Sequence, residues 1–168
     1  RYDESEAWHL KTLEARRRVL GAEHPDTLVS VNNLGELYLD GSRLEEAEAL
    51  FREAVMGRRR SLGDKHSNTL ASIRDLAHTL IAEKKFEEAE PLALECHAGI
   101  QSLFGDNHRY TREITKSLIT LYEQSERPEL AAEWRARLAE TKPTSQPAPD
   151  SGRDSSKERS AASSPPQA

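Results

Sequence analysis

Apolar residues recur every three or four positions along most of this chain, which is the period of an α-helix. Residues 25–61 hold two such stripes, separated by the polar turn 40–42. The first stripe comprises Leu28, Val31, Leu34, Gly35 and Tyr38, and the second comprises Leu44, Ala47, Leu50, Phe51, Ala54 and Val55. Pro25 suits the first turn of a helix, and Gly63 suits the left-handed residue after one. The pattern predicts two antiparallel helices joined by a short turn.

The helix pair repeats at a spacing of 42 residues. Residues 20–61 and 62–103 are identical at 14 of 42 positions without a gap, which fixes the register of the copies. A third, more divergent copy spans 104–140, and residues 1–19 match a second helix alone. A repeat of this length is typical of solenoids, in which each unit packs only against its neighbours. We therefore expect an all-α, right-handed α-solenoid of antiparallel helix pairs, with about seven helices.

The chain is rich in charged residues and poor in apolar ones, at 32% and 36% of its 168 residues. A solenoid fits this balance because each helix needs only one apolar stripe. The net charge of -5 disfavours a nucleic-acid partner. No stretch approaches the roughly 18 apolar residues of a membrane span, so we expect a cytoplasmic protein without a membrane partner.

The last segment, residues 141–168, has a different composition. It contains five prolines and seven serines but no Leu, Ile, Val or aromatic residue. Such a segment cannot bury enough apolar area to offset the entropy lost on ordering. We expect residues 141–168 to form a disordered Pro/Ser-rich tail after a helical domain at 1–140.

The recurring histidines are the first candidates for a chemical role. His24, His66 and His108 recur once per repeat, but neighbouring helices lie about 8–10 Å apart, too far for these histidines to share a metal ion. We interpret them as turn residues that hydrogen-bond to the backbone.

Cys96 aligns with Ala54, which indicates a small buried residue rather than a nucleophile. Gly57 and Gly99 share a register inside second helices, and we expect a close helix approach there.

Two arginine runs lie one period apart, at 16–18 and 58–60. Together they predict a basic ridge along one edge of the array, which leaves nucleic-acid binding as one alternative. The ridge stops one period later, because residues 100–102 are Ile-Gln-Ser. Glutamate-rich helix starts flank the runs, and basic residues near a helix C-terminus match its dipole, so a solvated face is favoured.

These patterns resemble the tetratricopeptide repeat in its long, kinesin-light-chain-like form. The matching positions are Leu34, Gly35, Tyr38, Ala47, Phe51 and Ala54 in the first full repeat, and Leu76, Ala77, Leu80, Ala89 and Cys96 in the second. The strings at 20–28, 31–34 and 86–92 also look like the long-repeat consensus. The resemblance covers residues 2–140 and implies that the first helix of each pair lines a concave face. It implies little about the partner, because such repeats occur in many unrelated proteins.

The end of the array carries a second resemblance. Residues 122–135 look like the last repeat of arrays at the C-terminus of large bacterial signalling proteins, including serine/threonine protein kinases. The chain itself contains no kinase glycine-rich loop and no catalytic-loop aspartate motif. An alternative function is therefore a non-catalytic regulatory or scaffold segment of a larger signalling enzyme.

The candidate peptide-binding groove consists of polar positions beside the apolar stripes of the first helices. These are Asn32, Asn33 and Glu36, then Arg74, Asp75 and His78, and finally Lys116, Ser117 and Thr120. In the family the residue at Asn33 often hydrogen-bonds the backbone of a bound peptide, whereas Asp75 and Ser117 depart from that pattern. Arg74 and Lys116 share a register, which favours an acidic peptide.

The sequence predicts a protein–protein interaction module that binds a peptide or partner protein through the concave face of the solenoid. It predicts no enzymatic activity for this chain and no catalytic, cofactor-binding or metal site. The identity of the partner and the oligomeric state stay open.

Overall fold

The computed structural model describes residues 2–141, and these form seven α-helices. The helices are α1 (Tyr2–Leu20), α2 (Pro25–Asp40), α3 (Leu44–Leu62), α4 (Ser67–Ala82), α5 (Phe86–Phe104), α6 (Arg109–Gln124) and α7 (Pro128–Glu140). Three long helices of 19 residues alternate with three short ones of 16, so the predicted period is reproduced in the helix bounds. The all-α solenoid is confirmed. The predicted tail lies outside the described residues from 142 onwards.

The helices are arranged in two layers. Each helix within residues 2–141 packs against the helix before and after it, and α4 also touches both α2 and α6. The long helices α1, α3 and α5 make no comparable contact with one another. Because the backbones of the short helices approach one another, whereas the long helices are joined only by side-chain ion pairs, we place α2, α4 and α6 in the inner, concave layer, as predicted. The helix α1 packs mainly on α2 and buries only Leu13.

The turns between repeats explain why histidine recurs. The Nδ1 atoms of His24, His66 and His108 each accept a hydrogen bond from the backbone N–H two residues later, at 3.2, 3.1 and 3.3 Å. Each histidine thereby caps a first helix by satisfying one of its unpaired N–H groups. The predicted role as a backbone-bonded turn residue is confirmed. Gly63, which precedes the second of these turns, has φ of 87°, as its predicted left-handed position requires.

Glycine lets the two helices of a pair approach closely. A Cβ atom on Gly57 would lie 2.5 Å from Cδ2 of Leu28, and one on Gly99 would lie 2.5 Å from Cδ2 of Leu70. No side chain fits at such a separation without moving the leucine. The predicted close approach is confirmed at both positions. In the third pair Arg112 takes the leucine position, and its guanidinium donates to the carbonyl oxygen of Thr141 at 2.7 Å.

A large residue fills the space inside the first full pair. Phe51 is fully buried, and a Cβ on Gly35 would lie 2.8 Å from its ring. The equivalent of Phe51 in the last pair is Arg135, which is exposed and forms an ion pair with Glu123 on α6. In the last pair the large apolar side chain belongs to the first helix instead, because Ile119 occupies the position of Gly35. The apolar core therefore ends in a polar surface at the last pair.

We expect the two equivalent positions to differ in energy. Replacing Phe51 by Ala leaves a cavity and should lower the free energy of unfolding by about 3–5 kcal/mol. Replacing Arg135 by Ala removes an exposed ion pair and should lower it by less than about 1 kcal/mol. Urea melts of the two variants measure both values. Equal losses would contradict the register of the repeats.

Candidate peptide-binding groove

A pocket of about 270 Å³ lies on the concave face between α2 and α4. Five predicted groove residues line it, and His78, Lys116, Ser117 and Thr120 lie outside it. The lining comprises Val29, Asn32, Asn33 and Glu36 of α2, Arg58 of α3, Ser67, Asn68, Ala71, Arg74 and Asp75 of α4, Ile100 and Phe104 of α5, and Tyr110 of α6. The pocket is thus built by three successive repeats.

Asn32 is part of the pocket wall rather than a free peptide-binding group. It is 5% exposed. Its Nδ2 donates to Glu36 Oε1 at 2.9 Å and to Asp75 Oδ2 at 3.2 Å, and its Oδ1 accepts from Ser72 Oγ at 2.7 Å. Both N–H groups of its side-chain amide are therefore donated within the protein. Asn32, which was predicted as a groove residue, therefore bonds to Glu36 and Asp75 within the protein.

Arg74 is already paired. Its Nε and Nη2 donate to Oδ1 of the adjacent Asp75 at 3.1 and 2.9 Å, and its guanidinium lies 5.4 Å from the centre of the Tyr110 ring. Of the two residues expected to meet an acidic peptide, Arg74 thus already has an ion pair with Asp75. Lys116 is exposed on α6.

Glu36 and Asn33 of α2 are exposed polar groups at the pocket rim, as are Ser67 and Asn68 of α4. Partial burial of the Glu36 carboxyl, with a smaller effect of the Asp75 carboxylate, raises its pKa. Within residues 2–141 Glu36 forms no ion pair, and Asn33 forms no side-chain hydrogen bond. Both groups are available to a ligand.

The hydroxyl groups of the predicted groove residues in the third repeat are bonded within the protein. Ser117 Oγ donates to the Glu113 carbonyl oxygen at 3.1 Å, so the Nε2–H of His78 is the donor in its contact with that hydroxyl. Burial lowers the pKa of His78. The hydroxyl of Thr120 donates to the Lys116 carbonyl oxygen at 3.1 Å. Of this group Lys116 alone offers a free side-chain charge.

The arginines Arg16 and Arg58 join successive repeats. Arg58 is 6% exposed, and its Nη1 donates to Ser72 Oγ at 2.7 Å and to the Asn68 carbonyl oxygen at 2.8 Å. Arg16 makes the same pair of bonds one period earlier, to Ser30 Oγ and to the Asp26 carbonyl oxygen, both at 2.8 Å. These side chains point into the array, so they contribute nothing to an outer basic ridge.

Neighbouring arginines on the outer face are neutralised. Arg17 pairs with Glu53 at 2.6 Å and Arg59 pairs with Glu95 at 2.6 Å, each joining two long helices. Arg60 pairs with Glu23 at 2.7 Å. Five of the six arginines at 16–18 and 58–60 are therefore bonded within the protein, and Arg18 forms no ion pair within residues 2–141. This pairing reduces the free positive charge along the predicted ridge.

The apolar side of the pocket was not predicted. It consists of Ile100 of the second full repeat and of Phe104 and Tyr110 of the third. The sequence signal for this apolar wall is that Ile100 occupies the position held by Arg16 and Arg58 in the earlier periods. Without a guanidinium at that place, the wall facing the pocket is apolar.

Cys96 is a buried packing residue, as predicted. It is fully buried, and its thiol donates to the Leu70 carbonyl oxygen at 3.3 Å. Burial raises the pKa of Cys96 to about 12. Within residues 2–141 no group of three or more histidine, cysteine or acidic side chains is placed to hold a metal ion.

Two family models, both described as tetratricopeptide repeat, match residues 1–59 and 69–110. Together they cover more than half of the chain, and the matched segments contain most of the helix pairs described above. The chain belongs to the tetratricopeptide-repeat family. A search of the curated proteins found no match.

Solved structures share this fold. The crystal structure of BtubC (BKLC) from P. vanneervenii is similar with a TM-score of 0.74 and 20% identity, over 82% of this chain and 54% of that one. A kinesin-light-chain-like protein of Podosopora anserina with nearly identical TPR-like repeats gives a TM-score of 0.69 and 22% identity, over 82% and 65%. The repeats are thus of the long, kinesin-light-chain-like type. The chain spans only part of either structure.

None of the helices within residues 2–141 combines the length and the apolar character needed to cross a bilayer.

We expect the single cysteine to report on folding. At pH 8 the raised pKa leaves about one Cys96 thiol in 10⁴ ionised in the folded protein, against roughly a quarter after unfolding, when the ordinary value of about 8.5 returns. A thiol reagent should therefore react at least a hundredfold more slowly without urea than in denaturing urea. Rapid labelling of the folded chain would contradict the burial of Cys96.

Proposed function

We propose that this chain is a protein–protein interaction module that binds a peptide segment of its partner in the concave groove around the α2–α4 pocket. Arrays of tetratricopeptide repeats are in general protein-binding modules, and the two matched repeat models support that class. The finer proposal concerns the place of binding and rests on the pocket.

The observation that carries the proposal is the mixed character of the pocket. Asn33 and Glu36 offer an amide and a carboxylate at its rim, and Phe104 and Tyr110 offer half-buried aromatic surface beside them. Polar groups that fix orientation beside apolar and aromatic side chains are typical of sites that bind ligands specifically. Asn33 is placed to hydrogen-bond the backbone of a bound peptide while a side chain enters the pocket.

The resemblance of residues 122–135 to arrays of bacterial signalling proteins supports a second, compatible proposal. The array would then serve as the non-catalytic binding part of a larger signalling enzyme. The partner peptide would supply the localisation or assembly of that enzyme, and the groove would be used in the same way.

Placing a large side chain in the pocket tests whether the peptide binds in the groove. Ala71 lines the pocket on α4, so Ala71→Arg should block it, whereas Ala98→Arg places the same side chain on the exposed face of α5. A peptide selected from a random display library on the unmodified chain is titrated against both variants by calorimetry. We expect Ala71→Arg to lose more than tenfold in affinity and Ala98→Arg to stay within twofold.

Circular dichroism melts of both variants check that the helices are intact. Selected peptides that bind the two variants equally well would contradict binding in the concave groove.

A further inference from the structure

We propose that the groove recognises a basic side chain, lysine or arginine, against Glu36, together with an apolar side chain held by Ile100, Phe104 and Tyr110. This inference rests on the proposed function and assigns the chemistry of its ligand. It replaces the acidic peptide that the register of Arg74 and Lys116 favours.

The positive groups of the pocket are already occupied. Both bonding nitrogens of Arg74 point at Asp75, and Nη1 of Arg58 points at the Asn68 carbonyl oxygen and the Ser72 hydroxyl. Arg58 lines the pocket but is only 6% exposed, and it forms no hydrogen bond with a carboxylate of residues 2–141. An incoming carboxylate would meet an Arg74 that Asp75 already neutralises.

The carboxylate of Glu36, by contrast, is incompletely satisfied. Its Oε1 accepts one bond from the Asn32 amide, and the same amide nitrogen also serves Asp75. One neutral NH₂ group therefore lies between two carboxylates, and Oε2 of Glu36 receives no hydrogen bond from residues 2–141. The group that best completes such a site is a cation with several N–H donors. Partial burial strengthens a new ion pair by reducing its screening.

The α2 edge of the groove adds to this preference. The charged residues of α2 are Asp26, Glu36 and Asp40, and all are acidic. Asp40 lies one helical turn beyond Glu36, is exposed, and forms no ion pair within the described chain. A peptide that crosses this edge meets negative charge alone on α2.

The apolar wall sets the spacing within the ligand. Ile100 is buried, and the rings of Phe104 and Tyr110 meet edge to face with centroids 6.4 Å apart. Val29 faces the same pocket from α2 and precedes Glu36 by seven residues, which is about 10.5 Å along a helix. An extended peptide spans that length in about three residues. The basic and apolar residues of the ligand should therefore lie two to four positions apart.

The experiment uses peptides selected from a random library on the whole chain. We expect the selected sequences to contain Lys or Arg two to four positions from an aliphatic or aromatic residue. For such a peptide, Glu36→Gln should lower the affinity more than fivefold, while the control Glu87→Gln, an exposed glutamate at the start of α5, should change it less than twofold.

A double-mutant cycle shows whether the basic residue of the peptide contacts Glu36. A peptide with norleucine in place of its basic residue should bind the unmodified chain more than fivefold more weakly. Glu36→Gln should then cause no further loss, because the ion pair is already absent. Independent, additive losses would overturn the assignment of the basic residue to Glu36.

The outcomes separate the two proposals. Selected peptides that are blocked by Ala71→Arg but lack a basic residue, or ignore Glu36→Gln, overturn this inference and leave the groove function standing. Acidic peptides that depend on Lys116 overturn it as well. A library that yields no binder, or only binders indifferent to Ala71→Arg, overturns the groove function itself.

Discussion

The close contact between Leu28 and Gly57 sets the distance between the helices of the first full pair, and Leu70 with Gly99 repeats it 42 residues later. Glycine inside a helix costs about 1 kcal/mol relative to alanine, so its presence at both positions needs a compensating gain. The gain is the approach of the leucine side chain onto the helix backbone. The inner and outer layers depend on this spacing, and the groove lies along the inner one.

The links between repeats show how the groove acquires its character. Arg16 and Arg58 each reach a serine of the following first helix, at 2.8 and 2.7 Å. At the next link both partners become apolar, with Ile100 in place of the arginine and Ile114 in place of the serine, and both are buried. These two replacements keep the repeats in contact and leave an apolar wall beside the pocket. The apolar wall of the pocket therefore lies where the sequence differs from the repeating pattern.

The features predicted correctly are those that depend on local sequence and on the period. The helix bounds follow the apolar stripes, the turns follow Gly63 and His66, and the close approach follows Gly57, because each requires a particular residue at a fixed place. The contacts that the sequence did not predict are those of long or polar side chains, Arg58, Arg74 and Asn32. Their directions depend on which acceptor a neighbouring repeat happens to offer, such as Ser72 for Arg58, and a 42-residue period carries no information about that choice.

The most direct test of this account is the sign of one stability change. Helix propensity alone predicts that Gly57→Ala stabilises the protein by up to about 1 kcal/mol. Because the new Cβ would meet Leu28 at 2.5 Å, we expect the variant to be less stable than the unmodified chain in urea melts. In a Leu28→Ala background, where the obstacle is gone, the same substitution should become neutral or stabilising. A stabilising Gly57→Ala in the unmodified chain would contradict the close approach on which the array is built.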